Sequence, residues 1–409
     1  MFKKSIFKNI NFMKLLSALL VTKIGDYLLA FALSWYIYDI TGSTIALSLS
    51  LISTFIPNAL VSIFSGIIAD KYDRKKIIVI CDVLSGILTF MLFLISINMK
   101  LSLYMIVIFN VLLSIISAMF SPSISAAIQS SLAKKELQDA SALTQLQGRF
   151  AFIVGTALGG LILKSLGIEI LLLLNAISFL ISATIEFFTN IKQLEQSSKL
   201  SVIKNLKEAG DFLAKNKIIL FITLFAGIIA NGTFMSIEVY MPSIFKDVLE
   251  KSSIELGTYY SIEGTVAAIT SLYFVFSNHK LNPYLWTLLT LVFQGLVLLS
   301  IGIMNNLLIA YFIGMVAGFS FAICSITTTT LIRMLVSNDI MGRIGSFNMF
   351  LSNISIPVFT IIYGLLGEYF KNQNIIIISS VVFLIAMAPA PLLFFKSKEN
   401  IELRNHLKN

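Results

Sequence analysis

The sequence predicts an all-α membrane protein with twelve transmembrane helices, and three observations favour this fold class. Hydrophobic residues make up 57% of the 409 residues while charged residues make up only 12%, which leaves too little polar surface to cover a soluble core of this size. The mean hydropathy is +0.90, and the apolar stretches reach the roughly 20 residues that a helix needs to cross a bilayer. Because a backbone exposed to lipid must satisfy its own hydrogen bonds, we expect these stretches to be helices.

Short polar breaks separate the apolar stretches and set the predicted elements. The predicted spans are 12–38, 44–69, 77–97, 101–122, 143–163, 168–189, 218–242, 254–276, 283–303, 307–331, 343–369 and 374–395. The start of the chain, 1–20, resembles a signal peptide because Lys3, Lys4 and Lys8 precede an apolar run, but it lacks a small-x-small cleavage site, and the apolar character continues to Tyr38. We therefore expect it to be retained as a helix.

The basic residues predict the orientation of the chain in the cell membrane. If the N-terminus is cytoplasmic, 24 Lys and Arg residues fall on the cytoplasmic side, five fall on the other side, and Lys23 lies within the first span. Cytoplasmic loops typically carry such an excess of basic residues. We therefore expect both termini in the cytoplasm. The net charge of +9 reflects this asymmetry rather than a nucleic-acid partner.

One long connection divides the chain into two halves of six spans. The predicted domains are an N-terminal six-helix bundle over 1–190, an amphipathic cytoplasmic linker over 191–217, a C-terminal six-helix bundle over 218–395 and a cytoplasmic tail over 396–409. In the linker, apolar residues recur every three to four positions up to Leu213 with lysines between them. This pattern is typical of a helix that lies on the inner membrane surface.

The sequence lacks the residues that several classes of protein require. Cys81 and Cys324 lie far apart inside apolar spans, and His279 and His406 have no neighbouring ligands, so we predict neither disulfides nor a metal site. The sequence contains no Gly-x-x-x-x-Gly-Lys-(Ser/Thr) phosphate loop and no Gly-x-Ser-x-Gly nucleophile motif. We therefore expect neither an enzyme nor an ATP-driven pump.

A compact charged run interrupts the apolar sequence between the second and third spans. Residues 66–76 read GIIADKYDRKK. The run fits the Gly-x-x-x-Asp-(Arg/Lys)-x-(Gly/Asp)-Arg-(Arg/Lys) loop between the second and third helices of major facilitator superfamily transporters, and the chain therefore resembles this superfamily. The resemblance implies the major facilitator fold, in which two pseudo-symmetric six-helix bundles make up the twelve spans.

In the family this loop acts as a cytoplasmic latch between the halves. Gly66 would permit close approach of the other half because it has no side chain. Asp70 would accept hydrogen bonds from the helix N-terminus near Arg343, and the guanidinium of Arg74 would bridge to a carboxylate. The alternative is an ordinary positively charged cytoplasmic loop, which would not call for the acids. The predicted cytoplasmic gate comprises Gly66, Asp70, Asp73, Arg74, Asp82 and Arg343.

The resemblance extends over most of the chain and points to the drug-efflux branch that includes macrolide and enterobactin-type siderophore exporters. The supporting stretches are Gly25-Asp26, Thr41-Gly42-Ser43, Asp82, Pro122, Gly155-x-x-x-Gly159-Gly160 and Gly342-Arg343-Ile344. Two features depart from the drug antiporters: Thr156 replaces the Pro of the helix 5 signature, and the fourth span lacks an embedded Arg. We expect Gly155, Gly159 and Gly160 to pack helices closely, with or without a role in sealing the two halves.

Acids within the spans are the candidates for a coupling site. A carboxylate at a helix centre costs about 2.5–3.5 kcal/mol on insertion scales, so its presence favours a cavity, a partner or a transported ion. Asp26 lies about 22 Å along the first span, near the midplane where such transporters hold their ligands. Lys23 shares its helix face, so a local ion pair is the alternative. The predicted proton-coupling residues are Asp26, Glu263 and Glu238, whereas Glu186 and Asp39 are expected at the membrane interfaces.

The family resemblance also implies a substrate cavity lined by spans 1, 4, 7 and 10. Apolar walls with few fixed charges suit a lipophilic substrate, including a cationic one, better than a sugar or a phosphate. The candidate contacts, each of which could instead serve packing, are Trp35, Asn110, Asn231, Phe234, Thr327 and Thr328.

The leading hypothesis is a secondary active transporter that exports a lipophilic or amphipathic, antibiotic-like molecule such as a macrolide by proton antiport with alternating access. Its partners would be the small-molecule substrate, protons and the lipid bilayer. We expect a monomer that uses the proton gradient as its energy source and needs no cofactor. Two alternatives stay open: an uptake carrier for a nutrient or siderophore on the same fold, and a membrane-embedded lipid-handling protein.

Overall fold

Helices make up almost all of the protein that can be described. The structure is a computed structural model, and it describes residues 4–133, 136–191, 208, 210–214, 216–277, 282–336, 338–388 and 390. These residues contain no β-strand, and eight of their helices are long and apolar enough to cross a membrane. Two shorter apolar helices, Leu351–Gly367 and Asn372–Ala386, accompany them. The predicted all-α membrane fold is confirmed.

Local sequence explains where the helices of the first half begin and end. These helices are α1 (Lys4–Phe7), α2 (Ile10–Thr41), α3 (Thr44–Lys71), α4 (Arg74–Asn98), α5 (Leu103–Ser130) and α6 (Leu137–Phe187). The Asn9 side chain caps α2 by accepting a hydrogen bond from the Phe12 amide at 3.1 Å, which satisfies an otherwise unpaired donor. Helix α2 ends at Gly42, whose φ of 61° is left-handed and favours glycine.

Helix α6 covers both the fifth and the sixth predicted spans. The prediction separates these spans by a short break, 164–167, whereas the structure joins them at Gly167. The φ of 83° and ψ of 176° at Gly167 form a conformation that is essentially restricted to glycine. Both predicted spans are therefore present, and a kink at one residue joins them instead of a loop.

The second half begins with an irregular span. Its helices are α7 (Lys217–Ile222), α8 (Asn231–Ile237), α9 (Met241–Ser243), α10 (Ser253–Phe276), α11 (Pro283–Ile303), α12 (Leu307–Leu335), α13 (Asn338–Tyr369) and α14 (Asn372–Ala386). The seventh predicted span is not one α-helix, because π-helical turns over Thr223–Ala230 separate α7 from α8. Such π-turns inside helices are often found at functional sites.

The chain divides into two compact units. The first contains Met1–Ser198 and Phe245–Ser261, and the second contains Lys199–Ile244 and Ile262–Asn409. The sequence assigned 245–261 to the C-terminal bundle, whereas its contacts place it in the first unit. Of the predicted linker only 191, 208, 210–214 and 216–217 are described, and the predicted tail lies outside the described residues.

Apolar clusters and hydroxyl groups hold the helices of each unit together. In the first unit, Leu15, Ile78, Ile124 and Ala127 form a buried cluster that joins α2, α4 and α5. In the second unit, the Thr287 hydroxyl donates to the Thr327 hydroxyl at 2.9 Å, which joins α11 to α12. The Ser380 hydroxyl donates to the carbonyl oxygen of Gly295 at 3.1 Å and joins α14 to α11. Close helix contacts of this kind are typical of membrane proteins.

Candidate functional site

A cavity of about 400 Å³ lies inside the first unit, among helices α2 to α6. Leucine side chains of α2 and the aromatic rings of Phe109, Phe120 and Phe179 form its apolar walls. Helix α5 contributes a row of hydroxyl groups at the three- and four-residue spacing of one helix face. These hydroxyls belong to Ser114, Ser117, Ser121 and Ser125. The cavity is therefore amphipathic.

Asp26 and Lys23 form an ion pair on the wall of this cavity. The ammonium nitrogen of Lys23 lies 3.6 Å from a carboxylate oxygen of Asp26, and the two side chains are 43% and 33% exposed. Because the residues are three positions apart, they share one face of α2. The local ion pair that the sequence analysis left open as an alternative is the arrangement seen, and both groups remain accessible from the cavity.

Glycines set the position of α2 against α6. A Cβ atom on Gly25 would lie 2.3 Å from the hydroxyl oxygen of Ser178 in α6. A Cβ atom on Gly155 would lie 2.7 Å from the Cβ of Tyr27, and one on Gly159 would lie 3.0 Å from the carbonyl oxygen of Leu28. The missing side chains let the two helices approach closely, and this approach positions Asp26 on the cavity wall.

Hydrogen bonds to α3 hold α5 in place. The side-chain amide of Asn110 donates to the Ser50 hydroxyl at 2.9 Å, and the Ser114 hydroxyl donates to the carbonyl oxygen of Thr54. Asn110 and Ser114 both line the cavity. Asn110, a predicted substrate contact, therefore lies at the cavity and also joins two helices.

Two further acids lie buried where α4 packs against α6. Asp82 is 2% exposed and lines the cavity, and Glu186 is fully buried. The two carboxyl groups are close enough to influence each other electrostatically, and the Ser182 hydroxyl neighbours both. Asp82 was predicted to belong to the cytoplasmic gate, and in the structure its side chain lines the cavity wall.

The other predicted substrate contacts do not line this cavity. Trp35 is half-buried on α2 outside the cavity wall. In the second unit, Asn231 is half-buried and the ring of Phe234 packs edge-on against the rings of Phe321 and Phe383. The Thr327 hydroxyl accepts the hydrogen bond from Thr287, and the Thr328 hydroxyl donates to the carbonyl oxygen of Cys324 at 2.6 Å.

The second unit brings together the remaining two predicted coupling acids. Glu238 is exposed, Glu263 is half-buried, and the two carboxyl groups influence each other electrostatically. Helix α12 passes very close to Glu263, because a Cβ atom on Gly318 would lie 2.2 Å from the carbonyl oxygen of Glu263. Helices α10 and α12 therefore make a close contact at Glu263.

The predicted gate is described only in part. Asp73 is exposed and caps α4, and its carboxylate accepts hydrogen bonds from the amides of Lys75 and Lys76 at 2.9 and 3.4 Å. Arg74 is buried at the start of the same helix. The side chains of the other predicted gate residues lie outside the described part of the structure, and these residues are Gly66, Asp70 and Arg343.

The segment 245–261 is attached to the first unit by polar contacts. The ammonium of Lys246 lies 2.5 Å from the carboxylate of Asp39, and the Tyr38 hydroxyl donates to the carboxylate of Asp247. Further along, a Cβ atom on Gly257 would lie 2.6 Å from the carbonyl oxygen of Thr156 in α6. The contacts of Lys246 and Asp247 lie at the end of α2 that follows Asp26 in the chain.

Sequence reasoning missed two parts of this site. Glu186 was expected at a membrane interface, although its place within the predicted sixth span, 168–189, marked it as a further intramembrane acid. The serine row of α5 was also missed, although its spacing along the sequence showed one polar face in an otherwise apolar helix. Both signals were present, but only the packing of α4, α5 and α6 shows that they meet at one cavity.

Comparisons with known proteins agree with these features. The family model for the Major Facilitator Superfamily matches residues 15–360. Macrolide efflux protein A of Streptococcus pyogenes is 22% identical over 381 residues, which cover 91% of this chain and 93% of that protein. The enterobactin exporter EntS of Shigella boydii is 23% identical over 286 residues, which cover 68% of this chain and 66% of that protein.

Solved structures show the same fold. A bacterial homolog of the human lysosomal transporter Spinster superimposes with a TM-score of 0.72 at 15% identity, covering 94% of this chain and 98% of that chain. The predicted membrane helices, the charged loop after the second span and the match to the family model over most of the sequence lead to one conclusion. This chain belongs to the major facilitator superfamily and is a multi-pass membrane transporter.

Proposed function

We propose that this transporter exports an amphipathic or lipophilic small molecule in exchange for protons. The observation that carries this proposal is the cavity of about 400 Å³, whose mainly apolar and hydroxyl-lined wall carries an ion pair, Lys23 and Asp26, and one further acid, Asp82. Ligand pockets of roughly 300–1,000 Å³ with mainly apolar walls and few polar groups are typical small-molecule sites. The similarity to a macrolide efflux protein and to an enterobactin exporter supports efflux and this class of substrate.

The ion pair suggests how a proton and a cationic substrate compete. While Asp26 is charged, it balances Lys23, and an amphipathic cation gains by approaching the carboxylate. When Asp26 takes up a proton, Lys23 leaves a net positive charge in the cavity, which repels the same cation. Substrate and proton therefore bind in alternation, which is the requirement for antiport by alternating access.

The proton gradient supplies enough free energy for resistance. One elementary charge moving through 100 mV provides about 2.3 kcal/mol, and about 1.4 kcal/mol corresponds to a tenfold ratio. One proton per substrate thus sustains a gradient of nearly fiftyfold for an uncharged substrate. Glu238 and Glu263 in the second unit form a further pair of acids that we assign to the same proton exchange.

The orientation and assembly are part of the proposal. We place the protein in the cell membrane as a monomer. We place both termini in the cytoplasm because Lys and Arg are in excess in alternate loops. No cofactor is assigned. A C-terminal tag that is digested by protease in inside-out vesicles and protected in intact cells tests this orientation.

Transport in proteoliposomes tests the function. The protein is reconstituted with an internal pH dye, and uptake of radiolabelled erythromycin is measured with and without a pH gradient. We expect gradient-driven accumulation that releases protons from the lumen, and we expect Asp26→Asn to abolish the coupling. The exposed acid Glu250 provides a matched control, since Glu250→Gln should behave as the wild type.

The direction of transport needs whole cells. An efflux-deficient host that expresses the protein should accumulate less of the labelled compound than the empty host. Greater accumulation would replace export by the uptake carrier of a nutrient or siderophore. Transport by Asp26→Asn at the wild-type rate and with the wild-type proton stoichiometry would remove this acid from the mechanism.

A further inference from the structure

Two buried carboxyl groups lie between α4 and α6, and among the described residues neither forms an ion pair, although the charge of Lys23 acts on the nearer one, Asp82. Asp82 is 2% exposed and Glu186 is fully buried. One carboxylate oxygen of Asp82 and both of Glu186 have no hydrogen-bond partner among the described residues. Each group is close enough to feel the charge of the other.

Buried neutral polar groups surround the two carboxyl groups. Thr22, Asn175 and Ser182 are all at least nine-tenths buried. The amide nitrogen of Asn175 has no hydrogen-bond partner within the described part of the chain. The hydroxyls of Thr22 and Ser182 lie beside the carboxyl group of Asp82 without a well-formed hydrogen bond to it. Thr22 and Asn175 line the same cavity wall as Asp82. Buried polar groups are nearly always hydrogen-bonded, so unsatisfied carboxylate oxygens at this place indicate that the carboxyl groups hold something that the polypeptide does not supply.

The cations near the pair are already engaged or lie at the helix ends. The ammonium of Lys23 is 3.6 Å from Asp26. The ammonium of Lys14 donates to the carbonyl oxygen of Phe188 at 2.9 Å, and that of Lys75 lies 5.3 Å from the ring centroid of Phe187. Two further titratable groups of the described residues interact with the pair, and these are Asp26 on α2 and Cys81, which precedes Asp82 on α4.

A second negative charge at this place is very unfavourable. Two carboxylates that share a buried site cannot both ionise, because each raises the cost of charging the other, and an unpaired buried charge costs several kcal/mol. A bound proton removes one charge and turns one carboxyl group into a donor for the other. An alkali cation fits less well, because Asn175 and Lys23 present donors to the same wall, and donors repel a cation.

We propose that Asp82 and Glu186 form a buried proton-binding site beside the cavity, distinct from Asp26. The site holds one proton between the two carboxyl groups. Its part in transport rests on the proposed antiport: the O–H bond of the pair breaks, the proton passes through the cavity to Asp26, and an O–H bond forms on that carboxylate. Asp26 in turn releases Lys23 from the ion pair.

Chemical labelling tests the site without any transport measurement. Dicyclohexylcarbodiimide reacts with protonated carboxyl groups in apolar surroundings, and peptide mass spectrometry locates the product. At pH 7 an ordinary exposed glutamate carries a proton in only about one molecule in 500. We therefore expect labelling at Asp82 or Glu186 at neutral pH, and background labelling at Glu250.

Amide variants and salts decide between the outcomes. Glu186→Gln and Asp82→Asn keep the shape of the side chains, and we expect the double variant to remain monodisperse and to lose the label. Labelling that is unchanged by sodium, potassium or lithium salts supports a proton. Protection by any of these salts, or no label above that of Glu250 in the folded wild type, would overturn the proposal. An infrared carbonyl band of a protonated acid that disappears in Glu186→Gln is an independent readout.

The labelling experiment tests the proton site, and the transport experiment tests the antiport, so either proposal can be rejected without the other. If the pair is labelled but erythromycin uptake moves no protons, the proton site stands and the proposed antiport fails. If uptake moves protons but the pair is never labelled, the antiport stands and this site fails. If both hold, Glu186→Gln should lower the number of protons released on erythromycin addition relative to Glu250→Gln.

Discussion

Ser253 and Gly160 are in direct contact within the first unit. The Ser253 hydroxyl donates to the carbonyl oxygen of Gly160 at 2.9 Å, and a Cβ atom on Gly160 would lie 2.4 Å from the carbonyl oxygen of Ser253. A separation below about 3 Å between such atoms requires the backbone to move. The start of α10 is therefore fitted to α6 at a point where only glycine leaves enough room.

Gly160→Ala should destabilise the protein and impair transport. We expect the free energy of unfolding to fall by about 1–3 kcal/mol, the usual cost of overpacking a tight contact. The matched control is Gly148→Ala in the same helix, because a Cβ atom there meets nothing within 4 Å. Alanine favours a helix by up to about 1 kcal/mol over glycine, so this control should be neutral or slightly stabilising in thermal unfolding. Equal unfolding temperatures for the two variants would contradict the contact.

The pair of Lys246 and Asp39 should contribute little to stability, despite a separation of 2.5 Å. The side chains are 37% and 54% exposed, and exposed ion pairs contribute about 0.2–1 kcal/mol. A double-mutant cycle with Lys246→Met and Asp39→Asn should give a coupling energy in this range that decreases as salt is added. A coupling above 2 kcal/mol, or one that salt does not change, would show that the pair is shielded from solvent.

Substitutions of Asp73 can distinguish a structural role in capping α4 from a role in gating. Asp73→Ala should lower the free energy of unfolding by about 0.5–2 kcal/mol, because the amides of Lys75 and Lys76 lose their acceptor. Asp73→Asn keeps an acceptor oxygen and should restore most of that stability. If Asp73 also belongs to the gate, Asp73→Asn should transport erythromycin more slowly at unchanged stability. Full transport by Asp73→Asn would leave capping as its whole role.

Asn110 and Ser50 test whether the cavity binds substrate. Both Asn110→Ala and Ser50→Ala remove the 2.9 Å hydrogen bond between α5 and α3, but only Asn110 lines the cavity. If Asn110 also contacts the substrate, Asn110→Ala should raise the KM for erythromycin about tenfold, or about 1.4 kcal/mol, while Ser50→Ala changes it much less. Equal effects of the two substitutions would mean that Asn110 acts only by joining the helices.

Much of the fold was predictable because it follows from local sequence. The spans follow from hydropathy and length, the start of α4 follows from Asp73, and the end of α2 follows from Gly42. The bend at Gly167 was not predicted, since a lone glycine between two apolar runs is compatible with either a loop or a kink. The π-helical turns of Thr223–Ala230 were also missed, because an apolar stretch carries no signal for the wider turn.

The candidate site was predictable only in part. Asp26 and Asn110 were identified because polar residues stand out in apolar spans, and both line the cavity. Asp82 was predicted as an acid of the cytoplasmic gate, and its position at the cavity and near Glu186 was not predicted. The partner of a buried acid lies on another helix, so sequence separation does not reveal it.

The sequence by itself determined that this is a helical membrane protein of the major facilitator type, which stretches are apolar enough to cross a bilayer, and which acids carry a high free-energy cost within them. These properties depend on the composition and order of neighbouring residues. Only the tertiary structure decided that Lys23 pairs with Asp26 and that Asp82 meets Glu186. The reason is that the orientation of each helix about its axis depends on its packing against glycines and serines of helices far away in the sequence. This packing determines which polar side chains of different helices come together.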